Sequence, residues 1–343
     1  MEIFNRDINP SDQFVEAYAD LAFFARNPPI SEAFGRAERS AVLWKRLHVW
    51  VGRASLACVL LVMWTLAYTL TLAPLFGAPT WLEPLSAGLG VAGLGAQLIL
   101  IFGRLKERWL LARFAAERLR CIKFQAFVLI AEEPDPAKAT RYAELFTDQA
   151  IANLAQELMG GRSAMLEFNP SEIAIGEQPV KGHGNRGFIA TAEAVYERLR
   201  LEVQMQHFEA QAHLSREADR LPATLSEVTF VLGAVIACLA IILTGRPDQP
   251  SSHGAVLAQA WLHFATWSLF ATSAVVAVYQ RGAARKSSAD RYTRYARDIG
   301  RIRTRSPYGT PAGFAEAVRD MESVALLELD EFCRDAEQAS YVF

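Results

Sequence analysis

An excess of either charge is the first thing this sequence lacks. Its 35 Lys and Arg face 37 Asp and Glu in 343 residues, a formal net charge of −2. A globally basic nucleic-acid binder is therefore not indicated, and no nucleic acid is expected as a partner. Cysteine is scarce. Cys58, Cys121, Cys238 and Cys333 form no CxxC pair and no Cys/His cluster. Neither a disulfide framework nor a metal site is expected, and the thiols are read as reduced. Catalytic motifs are missing as well. No two histidines sit at HExxH spacing, and GxSxG, Walker A and paired-carboxylate signatures do not occur. No catalytic residue and no cofactor is assigned, and the chain is not read as an enzyme. The start, MEIFNRDINPSDQF, is acidic rather than a basic n-region followed by an apolar core, so it is not read as a signal peptide.

Apolar residues, by contrast, are plentiful: 52% of the chain, beside 21% charged residues. The two populations are separated along the sequence, as in membrane proteins. Four runs carry no charge: Ala54 to Ala73, Leu85 to Gly103, Val228 to Gly245 and Ala255 to Tyr279. A helix needs about 20 such residues to cross the hydrocarbon core. Backbone amides must be satisfied inside lipid, so each run reads as a helix rather than a strand. The fold class expected is an all-α membrane protein, with four transmembrane helices arranged as two hairpins and with long amphipathic cytosolic helices. Lys and Arg crowd the four inner flanks, whereas the two outer loops hold only Arg246. That asymmetry predicts a multi-pass protein of the inner (plasma) membrane with both termini cytoplasmic.

Composition shifts divide the chain into five stretches. Residues 1–37 are a short cytosolic segment, with a helix expected around Gln13 to Phe24 and another capped by Ser31. Residues 38–131 hold the first hairpin with charged leading and exit helices. In this reading the exit helix, Arg104 to Lys123, continues the second run without a break. Residues 132–187 carry an amphipathic helix, Lys138 to Met159, closed by Gly160-Gly161, and then an irregular linker. Residues 188–306 contain one long helix from Phe188 to Arg220, a second hairpin entered at Pro222, and an arginine-rich exit helix. Residues 307–343 form an acidic amphipathic helix with Thr310 as N-cap and Pro311 at its first position. Its apolar seam is Phe314, Val318, Met321, Ala325, Leu329 and Phe332. The two halves follow the same pattern, although their residue identities do not establish a duplication.

Several groups invite a functional reading, and each has a plainer alternative. Gly88-Leu89-Gly90-Val91-Ala92-Gly93 matches GxGxxG, but it lacks the preceding strand and the following acid that make that motif a nucleotide site. Ser86, Gly90 and Gly93 are read instead as a small-residue helix-packing face. Gln97, Gln259, His263, Thr266 and Thr272 lie in the apolar runs. They are candidate pore-lining residues, or interhelical hydrogen-bonding groups. Arg113, Glu117 and Arg120 share one helical face beside Trp109 and are candidates for coupling and packing. Arg294, Arg297, Arg301 and Arg305 form a stripe that is a candidate anion-binding site, for a nucleotide ligand among others. The acidic residues of the last helix are its alternative partners. The basic, glycine-rich Val180 to Gly187 is either a phosphate cradle or a flexible connector. His207 and His213 are expected on the surface of a helix.

At Trp109, Arg113 and Ala116-Glu117-Arg118-Leu119-Arg120 the chain resembles the SLATT family, SMODS- and SLOG-associating two-transmembrane effector domains of bacterial defence systems. Leu201 to Ala212, with Gln204 and His207, and the C-terminal Val318, Glu322, Leu326 and Glu328 are similar to further parts of that pattern. Two departures stand out: no sensor domain is expected on this chain, and Phe208 occupies a position where His is expected. The resemblance implies an effector that forms homo-oligomers and permeabilises the bacterial inner membrane when an anti-phage signal is sensed. A sensor or nucleotide-signalling protein would be its partner. Two alternatives remain open at this level, a non-enzymatic membrane scaffold for cytosolic proteins and a constitutive channel or transporter.

Overall fold

The computed structural model describes residues 5–133, 135–170, 186–244, 253–283 and 285–338. Among these residues the fold is all-helical, without strands. In chain order the helices are α1 (Asp12–Ala17), α2 (Ala22–Arg26), α3 (Pro28–Thr71), α4 (Ala73–Phe76), α5 (Leu82–Phe102), α6 (Leu105–Gln125), α7 (Phe127–Glu132), α8 (Pro136–Met159) and α9 (Arg162–Leu166). They continue with α10 (Arg186–Tyr196), a π turn (Glu197–Glu202), α11 (Val203–Thr244), α12 (His253–Ala283), α13 (Arg285–Arg303) and α14 (Pro311–Gln338). Four helical stretches are long and apolar enough to cross a membrane, lying within Ala19–Thr71, Leu82–Phe102, Arg186–Ile242 and His253–Gln280. At most 17% of their most apolar windows is buried within the protein. A soluble chain does not leave that much contiguous apolar surface in water, so these helices mark a membrane protein.

Helix ends follow from local chemistry, and several differ from the sequence expectation. The first expected helix is broken into α1, a 3₁₀ turn at Ala19–Leu21, and α2. Asn27, rather than Ser31, starts α3. It takes a left-handed φ of 40° and its Oδ1 accepts from the Ile30 N–H at 3.3 Å. Pro28 then fills the first helical position, where no amide donor is needed. The Ser31 hydroxyl is used elsewhere, donating to the carbonyls of Arg26 and Ile8. Between α5 and α6 the chain does break. Gly103 closes α5 onto the Ile99 carbonyl, where a Cβ would overlap that oxygen, and Arg104 adopts a left-handed φ of 49°. Pro222 does not separate the long helix from the third apolar run: it lies inside α11, which continues through it to Thr244. At α14 the Thr310 hydroxyl accepts from the Gly313 N–H at 3.1 Å, as expected of an N-cap. The Val180 to Asn185 loop and the second outer loop lie outside the described residues.

The chain forms two compact units. The first comprises Met1–Trp44, Glu107–Leu214 and Ser287–Gln338. Its core is an aromatic cluster in which Tyr196 meets Phe124, Phe127 and Phe314 edge-on, with ring centroids 5.4 to 5.9 Å apart. Such contacts add directional attraction to the burial of large rings. Phe314, Val318, Met321 and Leu329 of α14 are wholly buried here. The seam read from the sequence is thus core, not a free docking stripe.

The second unit, in its described residues, lies within Lys45–Lys106 and Ser215–Lys286. Its apolar helices touch through small and polar residues. Gln97 donates to the Ser55 hydroxyl at 2.7 Å, and Thr65 meets Ser86 at 3.0 Å. A Cβ on Gly93 would lie 3.2 Å from the Cys58 Cβ, and one on Gly233 would lie 3.3 Å from the Leu269 Cβ. Ser226 and Ser273 bond one another across α11 and α12. Gly90 has open space around it, so of the expected small-residue face Ser86 and Gly93 carry the packing.

Candidate functional site

The chemistry of the first unit concentrates in a chain of buried charges. Helical spacing on α6 puts Arg113, Glu117 and Arg120 on one face, with Lys123 beside them. Arg113 pairs with Glu117, and with Glu38 of α3 at 3.5 Å. Glu117 in turn takes two bonds from Arg120, at 2.6 and 2.8 Å. The Arg120 Nε reaches the Asp7 Oδ2 at 2.9 Å. That same oxygen accepts from the Gln204 amide at 3.1 Å and lies 4.0 Å from the Arg200 guanidinium. Arg200 grips Glu322 of α14 through two bonds, at 2.7 and 2.8 Å, and the Tyr196 hydroxyl donates to the same carboxylate at 3.2 Å. Lys123 points its amine at the backbone carbonyls of Asp7 (2.5 Å) and Ile8 (3.0 Å). Trp109 stands near this face and meets Phe332 edge-on at 6.1 Å.

Burial makes this arrangement consequential. Asp7, Lys123 and Glu322 are fully enclosed, and Arg200 and Arg120 nearly so. An ion removed from water is tolerated only when it is paired and hydrogen-bonded. The aromatic walls help as well: the Arg120 guanidinium lies over Phe34 at 5.0 Å and that of Arg200 over Phe124 at 4.8 Å. Leu199, Arg200 and Leu201, in the π turn, all lie in the interior.

The ionisation states follow. Burial alone would raise the Glu117 carboxyl, yet Arg113 and Arg120 overcome it and hold it down at about 2. Burial also raises Glu322, against the pull of Arg200. Burial depresses Lys123 to about 7; Asp7 opposes this, while Arg120 and Arg200 add to it. His207 is pushed down to about 4 by burial and then by Arg113 and Arg120, so it is a neutral neighbour of the network rather than a surface charge. Burial lifts the Cys121 thiol far above its usual range, which makes it inert as a nucleophile. Arg113, Glu117, Arg120, Asp7, Arg200 and Glu322 are thus linked charge to charge, and Lys123 is held by backbone carbonyls.

The arginine stripe meets acids. Arg294 pairs with Glu331 at 2.9 Å, Arg305 with Asp320 at 2.5 Å, and Arg301 with Asp298 of its own helix at 3.2 Å. Arg297 is exposed. Beside the stripe, Arg291 is buried and pairs with Asp335 at 2.5 Å, with Glu328 at 3.7 Å. Among the candidate pore residues, Gln97 bonds Ser55, while Thr266 and Thr272 return their hydroxyls to the carbonyls of Leu262 and Ser268 in their own helix. Gln259 and His263 are half-buried on α12. A groove of about 570 Å³ is lined by Glu197, Met205, Gly300, Arg303, Thr304 and Ser306, but its two charges bond each other at 3.0 Å.

Sequence reasoning found the α6 face and missed Asp7, Lys123 and Arg200 as members of its network. The first stands in a short polar segment without periodicity. Lys123 looks like an ordinary basic residue of a charged helix end, and Arg200 stands in a Leu-Arg-Leu run whose arginine an amphipathic pattern would point to water. Against known proteins, no family model matches the chain, no curated protein matches its sequence, and no solved structure matches its fold.

Proposed function

We propose that this chain is a multi-pass effector of the bacterial inner membrane, with two transmembrane hairpins and both termini cytoplasmic. It oligomerises and permeabilises the bilayer when a sensor or nucleotide-signalling partner reports infection. The observation that carries the membrane half is the character of the four apolar helices. Val91, Phe102, Ile241 and Trp267 lie outward and exposed, while Ser55, Gln97, Thr65, Ser86, Ser226 and Ser273 satisfy each other inside. Helices of that kind present apolar faces to lipid or to further copies. The effector half rests on the resemblance at Trp109, Arg113 and Ala116 to Arg120.

Two other readings separate from this one in a single assay. The protein is reconstituted into dye-loaded liposomes and titrated with sensor and nucleotide-signalling proteins of the class the resemblance implies. Leakage only after addition of a partner, accompanied by a ring-like oligomer, is the expected result. Leakage without any addition identifies a constitutive channel. Persistent tightness overturns permeabilisation and leaves a scaffold, a reading favoured by the exposed Tyr142, Leu145 and Met159 along α8.

A further inference from the structure

The Asp7 carboxylate occupies a receptor that is built without it. Three groups converge on its Oδ2: Arg120 at 2.9 Å, Gln204 at 3.1 Å and Arg200 at 4.0 Å. Each guanidinium is oriented by contacts elsewhere. Arg120 is held by Glu117 and by Phe34, Arg200 by Glu322 and by Phe124. Removing Asp7 would therefore leave both pointing at the same spot. Lys123 would add to it, because its bonds run to the carbonyls of Asp7 and Ile8 and would be released together with that segment.

The occupant is held by less. Residues Asn5 to Asn9 form one turn, closed by the Ile8 and Asn9 N–H groups on the Asn5 carbonyl, and α1, which follows, has no buried residue. Apart from Asp7, the turn is held by the buried Ile8 and Pro10, by the Asn5 Oδ1, which accepts from Arg120 at 2.9 Å, and by the Ile8 carbonyl, which accepts from Ser31 at 3.1 Å. The fit is also incomplete, since the second oxygen, Asp7 Oδ1, is buried without a hydrogen-bond partner. A buried acceptor left unmatched is costly, and a tetrahedral or larger oxyanion offers more acceptors to the same donors.

We propose that Arg120, Lys123, Arg200 and Gln204 form an oxyanion site in which Asp7 is an intramolecular stand-in, displaced when a phosphate-class ligand binds. Occupancy would withdraw the Asn5–Asn9 turn from the unit, coupling ligand to conformation through a difference in contacts between the two states. The site is distinct from the arginine stripe, and its readouts do not depend on the permeabilisation reading.

The test uses the full chain in nanodiscs of neutral lipid, with inorganic phosphate as the probe. In the wild type, amide hydrogen exchange at Ile8 and Asn9 should accelerate saturably as phosphate is raised. In Asp7→Ala the thermal midpoint should start lower and rise by about 5–10 °C at roughly a hundredfold the half-saturating phosphate. Asp7→Asn, which keeps the shape, should respond in the same direction. If sodium chloride at equal ionic strength reproduces these effects, or if neither phosphate nor the anionic lipid of the second arm below changes exchange or midpoint, the proposal is overturned. Should Asp7→Ala fail to fold, the wild-type exchange and Asp7→Asn decide. A second arm replaces phosphate with phosphatidylglycerol in the nanodisc. A response there and not to phosphate assigns the oxyanion to a lipid headgroup.

Discussion

At the scale of single residues, the buried pair Arg200–Glu322 shows what the interior demands. Neither ion has water, so each depends on the other and on Tyr196. Glu322→Ala strands a guanidinium in the core and should cost about 3–5 kcal/mol. The double change Arg200→Met with Glu322→Leu should recover most of that loss, because an apolar pair of similar volume needs no counter-ion. Urea titration of the three proteins reads the difference, and equal midpoints for the single and double variants would refute the argument. Lys123 gives a pH signature. Its amine titrates near 7 in the fold and at 10.5 ordinarily, so between those values the unfolded chain holds a proton that the folded chain has released. Stability must then rise with pH, by at most about 1.4 kcal/mol per unit. Below 7 the slopes compete. Glu328, raised to about 7 by burial, makes stability fall as pH climbs from 4.5, whereas His207, lowered to about 4, makes it rise up to 6.5. Above about pH 9 the buried thiols of Cys121 and Cys333 stay protonated while those of the unfolded chain ionise, which reverses the trend. The cleanest window is narrow, about pH 7.5 to 8, above the Glu328 titration and below that of the unfolded thiols. Across it, unfolding midpoints should climb in the wild type and stay flat in Lys123→Met.

At the scale of elements, what was legible was whatever local chemistry decides. Thr310-Pro311 signals a helix start because hydroxyl and ring each meet a need of the first turn, and Gly160-Gly161 ends α8 where expected. What was not legible depended on partners far along the chain. Asn27-Pro28-Pro29 looks like a breaker, since a residue before proline avoids helical angles. In the fold Asn27 escapes that restriction by turning left-handed, and its amide donates to the Thr147 hydroxyl 120 residues away at 3.0 Å. Asn27→Ala removes the cap and that bond and puts a Cβ-bearing residue of poor left-handed propensity at φ 40°. A loss of about 1–2 kcal/mol is expected. Asn27→Gly keeps the turn but loses both side-chain bonds, so it should fall between Ala and wild type. Urea midpoints in the reverse order would show that the backbone angle contributes little. The π turn at Glu197–Glu202 was invisible for a related reason. A sequence of Leu-Arg-Leu on an amphipathic helix predicts that the arginine lies toward water, and only the ions awaiting it in the core draw it inward.

At the scale of the molecule, hydropathy alone located the four apolar helices, since their length and lack of charge are dictated by the bilayer and not by partners. The two compact units were beyond reach, because each is assembled from stretches far apart in the sequence, joined by contacts such as the Arg120–Asn5 bond with its 115-residue separation. Orientation remains the inference from Lys and Arg asymmetry, and it makes a definite prediction. Thr80 follows α4, in the connector before α5, and Asp148 lies on the exposed side of α8. If both termini are cytoplasmic, Thr80→Cys in intact spheroplasts should react with a membrane-impermeant maleimide. Asp148→Cys should react only after the membrane is permeabilised. The native thiols interfere little: burial raises Cys121 and Cys333 far from the reactive thiolate, and Cys58 and Cys238 lie within apolar runs, where the reagent does not enter. The opposite labelling pattern would invert the topology. It would put the proposed oxyanion site outside the cell and remove the cytosolic signal from the proposed function, because no cytosolic partner could then reach the network around Arg120.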